Sequence, residues 1–312
     1  MKIVKTFNTW IKDDKIFITS NYNKKLIVRF REKYTGLSVY KTETEFVNGV
    51  EYWYKIGPRF EIINGVWIEI YDGEELLHKE SYDFGENIKI QLHEQIHYDK
   101  NDTNSWSTFF EVFIKNSYES DLVKFEKDDV VVDLGANIGM FTLFASNKVK
   151  KVYSIEPLPD TYECLVKNTK KLENVITLNK AIYSTEKEME FIQNEISISS
   201  SFFRKKPNSE TIKVKTIKFD NMLKEHNISR VNYLKVDIEG AEFDLFENIN
   251  EDYLQNNIDK IFMEVHIMND NFKLEHIISK IDKYFHYNIE SENVDTYDIK
   301  HYLISCLNKN KK

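Results

Sequence analysis

From Met1 to about Asp99 apolar and polar positions change places over short runs. LIVRF (26–30), LSVYKTETEF (37–46), EYWYKI (51–56), VWIEIYDG (66–73) and LLHKESYDF (76–84) are rich in β-branched and aromatic residues. In one of them Val66, Ile68 and Ile70 alternate with Trp67, Glu69 and Tyr71. Thr-Gly at 35–36, Asn-Gly at 48–49, Gly-Pro at 57–58, Asn-Gly at 64–65 and Asp-Gly at 72–73 punctuate the runs. A period of two predicts strands, and Asn-Gly and Asp-Gly supply the positive φ angles of two-residue hairpins. Short strands at this spacing predict an all-β, sandwich-like domain over residues 1–99.

The pattern then changes. NDTNSWSTFFEVFIKNSY (101–118) sets Phe109, Phe110, Phe113 and Ile114 at helical spacing after Ser and Thr caps, predicting a linking helical segment at 100–125. Over 126–312 apolar strands alternate with amphipathic helices. VVVDLG (130–135), KVYSIEP (151–157), VITLNKAI (175–182), YLKVDIEG (233–240) and KIFMEVH (260–266) read as strands. Helices are expected at 138–147, 161–172, from Gly240 through Phe246, and at 272–284. EMEFIQ (188–193) and TIKVKTI (211–217) read as an added hairpin, and YNIESE (287–292) and HYLISCL (301–307) as closing strands. Apolar strands separated by helices imply a mostly parallel sheet covered on both faces. Such an α/β sheet binds ligands beyond the carboxyl ends of its strands.

Composition narrows the class. The chain has 312 residues, 41% hydrophobic and 30% charged, with a formal net charge of −8. A phosphate-tracking nucleic-acid partner is disfavoured without a basic face. The two cysteines, Cys164 and Cys306, are too few for a disulfide framework and read as reduced thiols. The first residues, MKIVKTFNTWIKDD, are not signal-like, and no run reaches the ~18 apolar residues of a membrane span. A soluble, cytoplasmic protein is the expectation.

Within VVVDLGANIGMF (130–141) the turn runs Asp133, Gly135, Ala136, Asn137, Gly139. Asn137 stands where a dinucleotide fingerprint has its second glycine, so a pyrophosphate cradle is disfavoured, and no Lys-Ser/Thr pair follows to make a P-loop. About twenty residues on, Glu156-Pro157 ends the second strand with an acid able to accept from a ribose diol. A ribose partner without a phosphate cradle fits S-adenosylmethionine, and Asp133 suits a cationic ligand. Simple packing is the competing explanation of any one of these residues.

Taken in order, VVVDLGANIGMFTLFAS, KVYSIEPLPDTYECLVKN, TIKFDNML, NYLKVDIEGAEFDLFENI and IFMEVH resemble the FkbM-type methyltransferases, over about Ser105 to Leu307. The resemblance implies a class I Rossmann-like domain with a seven-stranded, mostly parallel sheet, S-adenosyl-L-methionine as cofactor, and methylation of hydroxyls on sugars or glycosylated products. By motif position Asp133, Gly135, Asn137 and Gly139 would surround the methionyl part, with Ala136 and Pro157 in the same two turns. Glu156 would hold the ribose, and Asn179 and Ala181 would lie near the adenine. The first domain resembles small β-domains that precede catalytic domains in glycan-modifying proteins. Its Trp53, Tyr54, Trp67 and Tyr71 are candidates for protein or glycan contact, although aromatics in alternating strands more often pack inward.

An alcohol is a poor nucleophile, and a base that removes its proton speeds transfer. Asp237 and His266 are the candidate bases, and Glu239 would orient substrate or cofactor; Glu242 follows in the first turn of the next helix. A divalent metal on Asp237, Glu264 and His266 is the competing account, which the motif does not require. The loop SISSSFFRKKPNSE (197–210) offers Ser200 and Ser201 to substrate hydroxyls, and Arg204, Lys205 and Lys206 to a phosphate or uronate. The expected function is O-methylation of a sugar or glycan, as in surface-polysaccharide biosynthesis. The alternatives are N-methylation of an amino sugar or amino acid, or a non-catalytic glycan-binding or scaffold protein. DIEG stands where nucleobase and amide N-methyltransferases carry Asn-Pro-Pro-aromatic, which disfavours nucleobases.

Overall fold

The computed structural model describes residues 7–12, 15–32, 38–55, 65–83, 96–97, 108–114, 116–194, 200–203, 209–268, 271–294 and 300–311. The chain divides between residues 96 and 108 into two compact units.

The first unit holds β1 (Phe7–Lys12), β2 (Lys15–Ser20), β3 (Lys24–Glu32), β4 (Ser38–Phe46), β5 (Glu51–Lys55), β6 (Gly65–Asp72) and β7 (Glu75–Asp83). They form two antiparallel sheets, ordered β1-β2-β5 and β4-β3-β6-β7. Alternation decides which side is buried: Ile16 and Ile18 on one sheet and Leu26, Val28, Phe30, Val66, Ile68 and Ile70 on the other have almost no exposure. Phe7 packs edge-on to Phe46, and Tyr54 meets Phe30 with ring centroids 5.0 Å apart, so the sheets face each other as a sandwich. Asp72-Gly73 makes the expected hairpin between β6 and β7. Asn48-Gly49 does not, because β5 leaves β4 and pairs with β2 of the other sheet. The strands β1 and β2 went unread in the sequence. Asn64 and Gly57-Pro58 lie outside the described residues.

The candidate contact aromatics have separate fates. Tyr54 turns inward and shares a 2.6 Å hydrogen bond with Thr44. Lys79 Nζ covers the Trp67 ring at 4.5 Å, Tyr71 donates to Glu69 at 2.7 Å, and Trp53 is exposed.

The second unit is built on β8 (Val130–Leu134), β9 (Lys151–Ile155), β10 (Val175–Leu178), β14 (Val231–Val236), β15 (Ile258–Ile267), β16 (Phe285–Val294) and β17 (Lys300–Asn308). Their order is β10-β9-β8-β14-β15-β17-β16, with β17 antiparallel to both neighbours. This is the expected seven-stranded, mostly parallel Rossmann-like sheet. The covering helices are α1 (Met140–Ser146), α2 (Pro159–Thr169), α3 (Phe219–Glu225), α4 (Glu242–Asn248), α5 (Glu251–Asn257) and α6 (Leu274–Ile281). Pro159 starts α2 at a position where its missing N–H costs nothing. The predicted third strand breaks after Leu178, and its end, β11 (Ala181–Ile182), joins β12 (Glu188–Gln193) and β13 (Glu210–Ile217) in a small separate sheet. The β12–β13 pair is the predicted hairpin. Among the described residues of the linking segment, Phe110–Ile114 form a π-helical turn. Among the described residues no helix is long and apolar enough to cross a membrane.

Chain order reverses at β8: β9 and β10 lie on one side, β14 and β15 on the other. A doubly wound sheet opens its ligand crevice at such a switch point, beyond the strand ends.

Candidate active site

A cleft of about 640 Å³, partly open to solvent, lies at the carboxyl ends of β8, β9 and β14. Gly135, Asn137, Glu156, Pro157, Ala181, Asp237 and Glu239 line it, seven of the twelve site residues expected from the sequence. Asp133, Ala136, Gly139, Asn179 and His266 are not among its lining residues.

Gly135 is fixed by two constraints at once. Its φ is +76°, and a Cβ there would sit 1.7 Å from the Asp237 carbonyl oxygen. The ends of β8 and β14 therefore approach more closely than any side chain permits. Asn137 also adopts a left-handed conformation, with φ of 51°, and its side-chain oxygen accepts from Ile138 N at 2.6 Å.

Glu156 is buried, and its two oxygens divide the work. Oε2 accepts from Asn137 N and Oε1 from Leu158 N, each at 2.9 Å, so one carboxylate ties the first glycine turn to the end of β9. Burial pushes its pKa up to about 7 against the opposing pull of those two N–H groups. Asn179 donates to the carbonyl oxygens of Glu156 and Pro157 at 2.9 and 3.0 Å, bracing the turn from behind.

Asp133 is fully buried. It accepts from Thr142 Oγ1 at 2.7 Å, and Lys235 Nζ lies 3.3 Å from its other oxygen. The cation that Asp133 faces is thus part of the protein. Lys235 sits beside Asp133 across the β8–β14 pair, donates to Gly135 O at 2.7 Å, and reaches Asp237 Oδ2 at 3.4 Å. Burial alone would lower its pKa, but the two aspartates outweigh that and raise it. The sequence reading missed Lys235, though its signal was plain: a lysine inside the apolar run YLKV has to be paired if that run is buried.

On the far wall the DIEGAE turn (237–242) carries the acids. Glu239 has φ of 51° and Gly240 of 98°. Glu242, fully buried, accepts from Ile238 N at 3.0 Å and Gly240 N at 2.9 Å, so it clamps the turn rather than merely charging the start of α4. Its Oε1 also meets His266 Nδ1 at 3.3 Å. The other ring nitrogen, Nε2, lies 3.7 Å from Glu264 and 3.8 Å from Glu239. His301, opposite His266 on β17, stacks on that ring and hydrogen-bonds Glu264. Burial alone would lower His266, but Glu239, Glu242 and Glu264 together hold it well above the usual histidine range. Burial raises Asp237 and takes Glu239 up to about 8. The cation-ligand geometry groups Asp237, Glu239 and His266, and separately Glu264, His266 and His301; Asp237 and Glu264 fall in different groups.

Ser200 lines the cleft and its Oγ accepts from Asn194 N at 3.0 Å; Ser201 is buried and pairs through its backbone with Ile192. Arg204, Lys205 and Lys206 lie outside the described residues.

The Methyltransferase FkbM domain model matches residues 133–292, about half of the chain. The hexuronic acid methyltransferase AglP of Haloferax volcanii is 29% identical over 142 residues, covering 45% of this chain and 57% of that protein. Methyltransferase 1 of Beauveria bassiana is 27% identical over 174 residues, covering 46% and 66%. The chain thus spans less than two thirds of either relative's length. Among solved structures, an FkbM methyltransferase from Methylobacillus flagellatus KT aligns at 15% identity and a TM-score of 0.40, over 67% of this chain and 56% of that one.

Proposed function

The chain belongs to the FkbM methyltransferase family, and from that premise we propose that it is an S-adenosylmethionine-dependent enzyme that methylates a hydroxyl of a sugar or glycan. The observation that carries the proposal is the division of the cleft between Glu156 on one wall and Asp237 and Glu239 on the other. We read the first as the partner of a ribose diol and the second pair as the partners of a cationic sulfonium and a hydroxyl proton.

In this reading Gly135 and Asn137 present backbone to the methionyl part, Glu156 accepts from the ribose hydroxyls, and Ala181 borders the adenine. Asp133, Ala136, Gly139, Pro157 and Asn179 shape the turns that hold those groups. The bound cofactor supplies a methyl carbon activated by its sulfonium. Asp237 would accept the proton of the acceptor hydroxyl as its oxygen takes up that methyl group. Glu239 orients the acceptor. His266, its Nδ1 turned to Glu242, positions Glu239. Alignment in a closed cleft supplies much of the rate, since an in-line displacement depends on near-attack geometry.

The sugar class is suggested by AglP, named a hexuronic acid methyltransferase. Acidic glycans are therefore the first acceptors to test. Incubation with methyl-labelled S-adenosylmethionine and uronate-bearing, neutral and amino-sugar oligosaccharides, followed by mass spectrometry, separates the possibilities. An alkali-stable methyl ether on a uronate-bearing or neutral sugar is the expected product. An alkali-labile ester, or label on nitrogen, contradicts the proposal.

A further inference from the structure

We infer that Asp237, Glu239 and His266 Nε2 form a divalent-cation site on the floor of the cleft, with Glu242 as the group that orients the histidine. The inference rests on the hydroxyl-acceptor reading above only for its purpose; the site itself stands on geometry.

The ligand atoms of the three residues lie within 4.8 Å of one another. His266 is 7% exposed, and its Nε2 reaches no acceptor within hydrogen-bonding distance among the described residues: Glu264 at 3.7 Å and Glu239 at 3.8 Å are the nearest carboxylates. These separations are too long for hydrogen bonds. They suit a shared cation: with metal–ligand bonds of ~2.1 Å, a 3.8 Å separation corresponds to a ligand–metal–ligand angle of roughly 130°. A contraction of ~0.4 Å would bring it to the tetrahedral value, and one of ~0.8 Å to the octahedral value.

The second nitrogen supports the assignment. Nδ1 lies 3.3 Å from the buried carboxylate of Glu242, so a cation that displaces the Nε2 proton meets a ring already oriented. A carboxylate behind a histidine is the usual outer support of a metal-bound imidazole. Glu242 is itself immobilised by Ile238 N and Gly240 N, so the ring is anchored through the same turn that carries Asp237 and Glu239. Charge points the same way: Asp237, Glu239, Glu242 and Glu264 converge here, and Lys235 touches only the Asp237 side. Two carboxylates and one imidazole are a donor set for an oxygen-preferring divalent ion such as magnesium or manganese. Asp237 and Glu239 line the cleft, so the remaining coordination positions face the acceptor. A cation there would hold the acceptor oxygen and lower the cost of its developing negative charge.

Manganese is the probe, because its electron paramagnetic resonance signal reports binding without turnover. The protein, stripped with EDTA and dialysed, should bind one equivalent of Mn²⁺, displaceable by Mg²⁺. Glu239→Gln and His266→Gln should each weaken binding by more than ~10-fold, and Glu242→Gln by ~10–100-fold, the range for an orienting partner. Circular dichroism checks that each variant is folded, and Glu239→Gln, at the cleft edge, is the one least able to disturb the core. No binding at millimolar Mn²⁺, or unchanged binding in folded Glu239→Gln, overturns the inference. Calorimetry with S-adenosylhomocysteine on the same samples keeps the two readings apart: nucleoside binding without Mn²⁺ binding rejects the cation site alone, whereas Mn²⁺ binding without nucleoside binding rejects the proposed cofactor cleft.

Discussion

Replacing Glu156 by glutamine tests the cofactor cleft through one atom. A carboxylate offers roughly four acceptor directions. Two are occupied by Asn137 N and Leu158 N, one on each oxygen, which leaves two for a ribose diol. A hydrogen bond to a charged group contributes ~1.5–3 kcal/mol. The amide keeps one acceptor oxygen, so one such bond is lost and the other loses its charge. Affinity for S-adenosylhomocysteine should fall ~10- to 150-fold. Acidity supplies an independent signature. Burial raises Glu156 to about 7 in the free protein, and ribose hydroxyls donate to the ionised form. Binding therefore favours proton release, and affinity declines as pH drops through 7. At pH 6 the wild type should bind ~10-fold more weakly than at pH 8, following proton linkage. Glu156→Gln should lack that component, and the difference between the two proteins cancels any titration of the ligand. Isothermal titration calorimetry at pH 6, 7 and 8 measures both effects. A variant affinity within twofold of wild type, or identical pH profiles, would refute the assignment.

Two further substitutions probe the frame around the site. Gly135→Ala forces a Cβ to within 1.7 Å of the Asp237 carbonyl at a φ of +76°, so the ends of β8 and β14 must separate. Backbone strain alone costs ~1–3 kcal/mol; nucleoside binding should be lost in calorimetry and the melting temperature should drop, and a variant that binds normally would show that this approach is not tight. At the opposite end of the sheet Lys260, 2% exposed, pairs with the equally buried Asp129 at 2.7 Å. Lys260→Met strands that carboxylate and should destabilise the fold by ~3–5 kcal/mol in urea denaturation, with nucleoside affinity unchanged in the protein that remains folded.

The parallel sheet was legible because its strands are buried on both faces and read as uninterrupted apolar runs. VVVDLG and KVYSIEP, the outcomes of that rule, begin with β8 and β9 and overrun their ends into the turns at Gly135 and at Glu156-Pro157. The helices α3 and α5 were not legible: each has seven residues, and unlike the equally short α1 and α4 neither follows a glycine turn at the end of a strand. The strands β1 and β2 were missed because the two residues between them in the sequence, Asp13 and Asp14, are neither glycine nor proline. Within the site, Glu156 could be read from its distance to the glycine turn, since both belong to one βαβ unit. His301 could not: it reaches Glu264 only because β17 runs antiparallel beside β15 in a register that sets His301 opposite His266. Glu242 was seen, but as first-turn charge. Its actual role, closing a turn with two left-handed residues, depends on backbone angles that a sequence does not display.

A crystal structure with S-adenosylhomocysteine bound tests the central claim most directly. The ribose hydroxyls should lie within hydrogen-bonding distance of Glu156, the amino-acid tail should run along Gly135–Asn137, and the sulfur should face Asp237 and Glu239. A nucleoside bound away from Glu156, or with its sulfur turned from that acidic wall, would contradict the account.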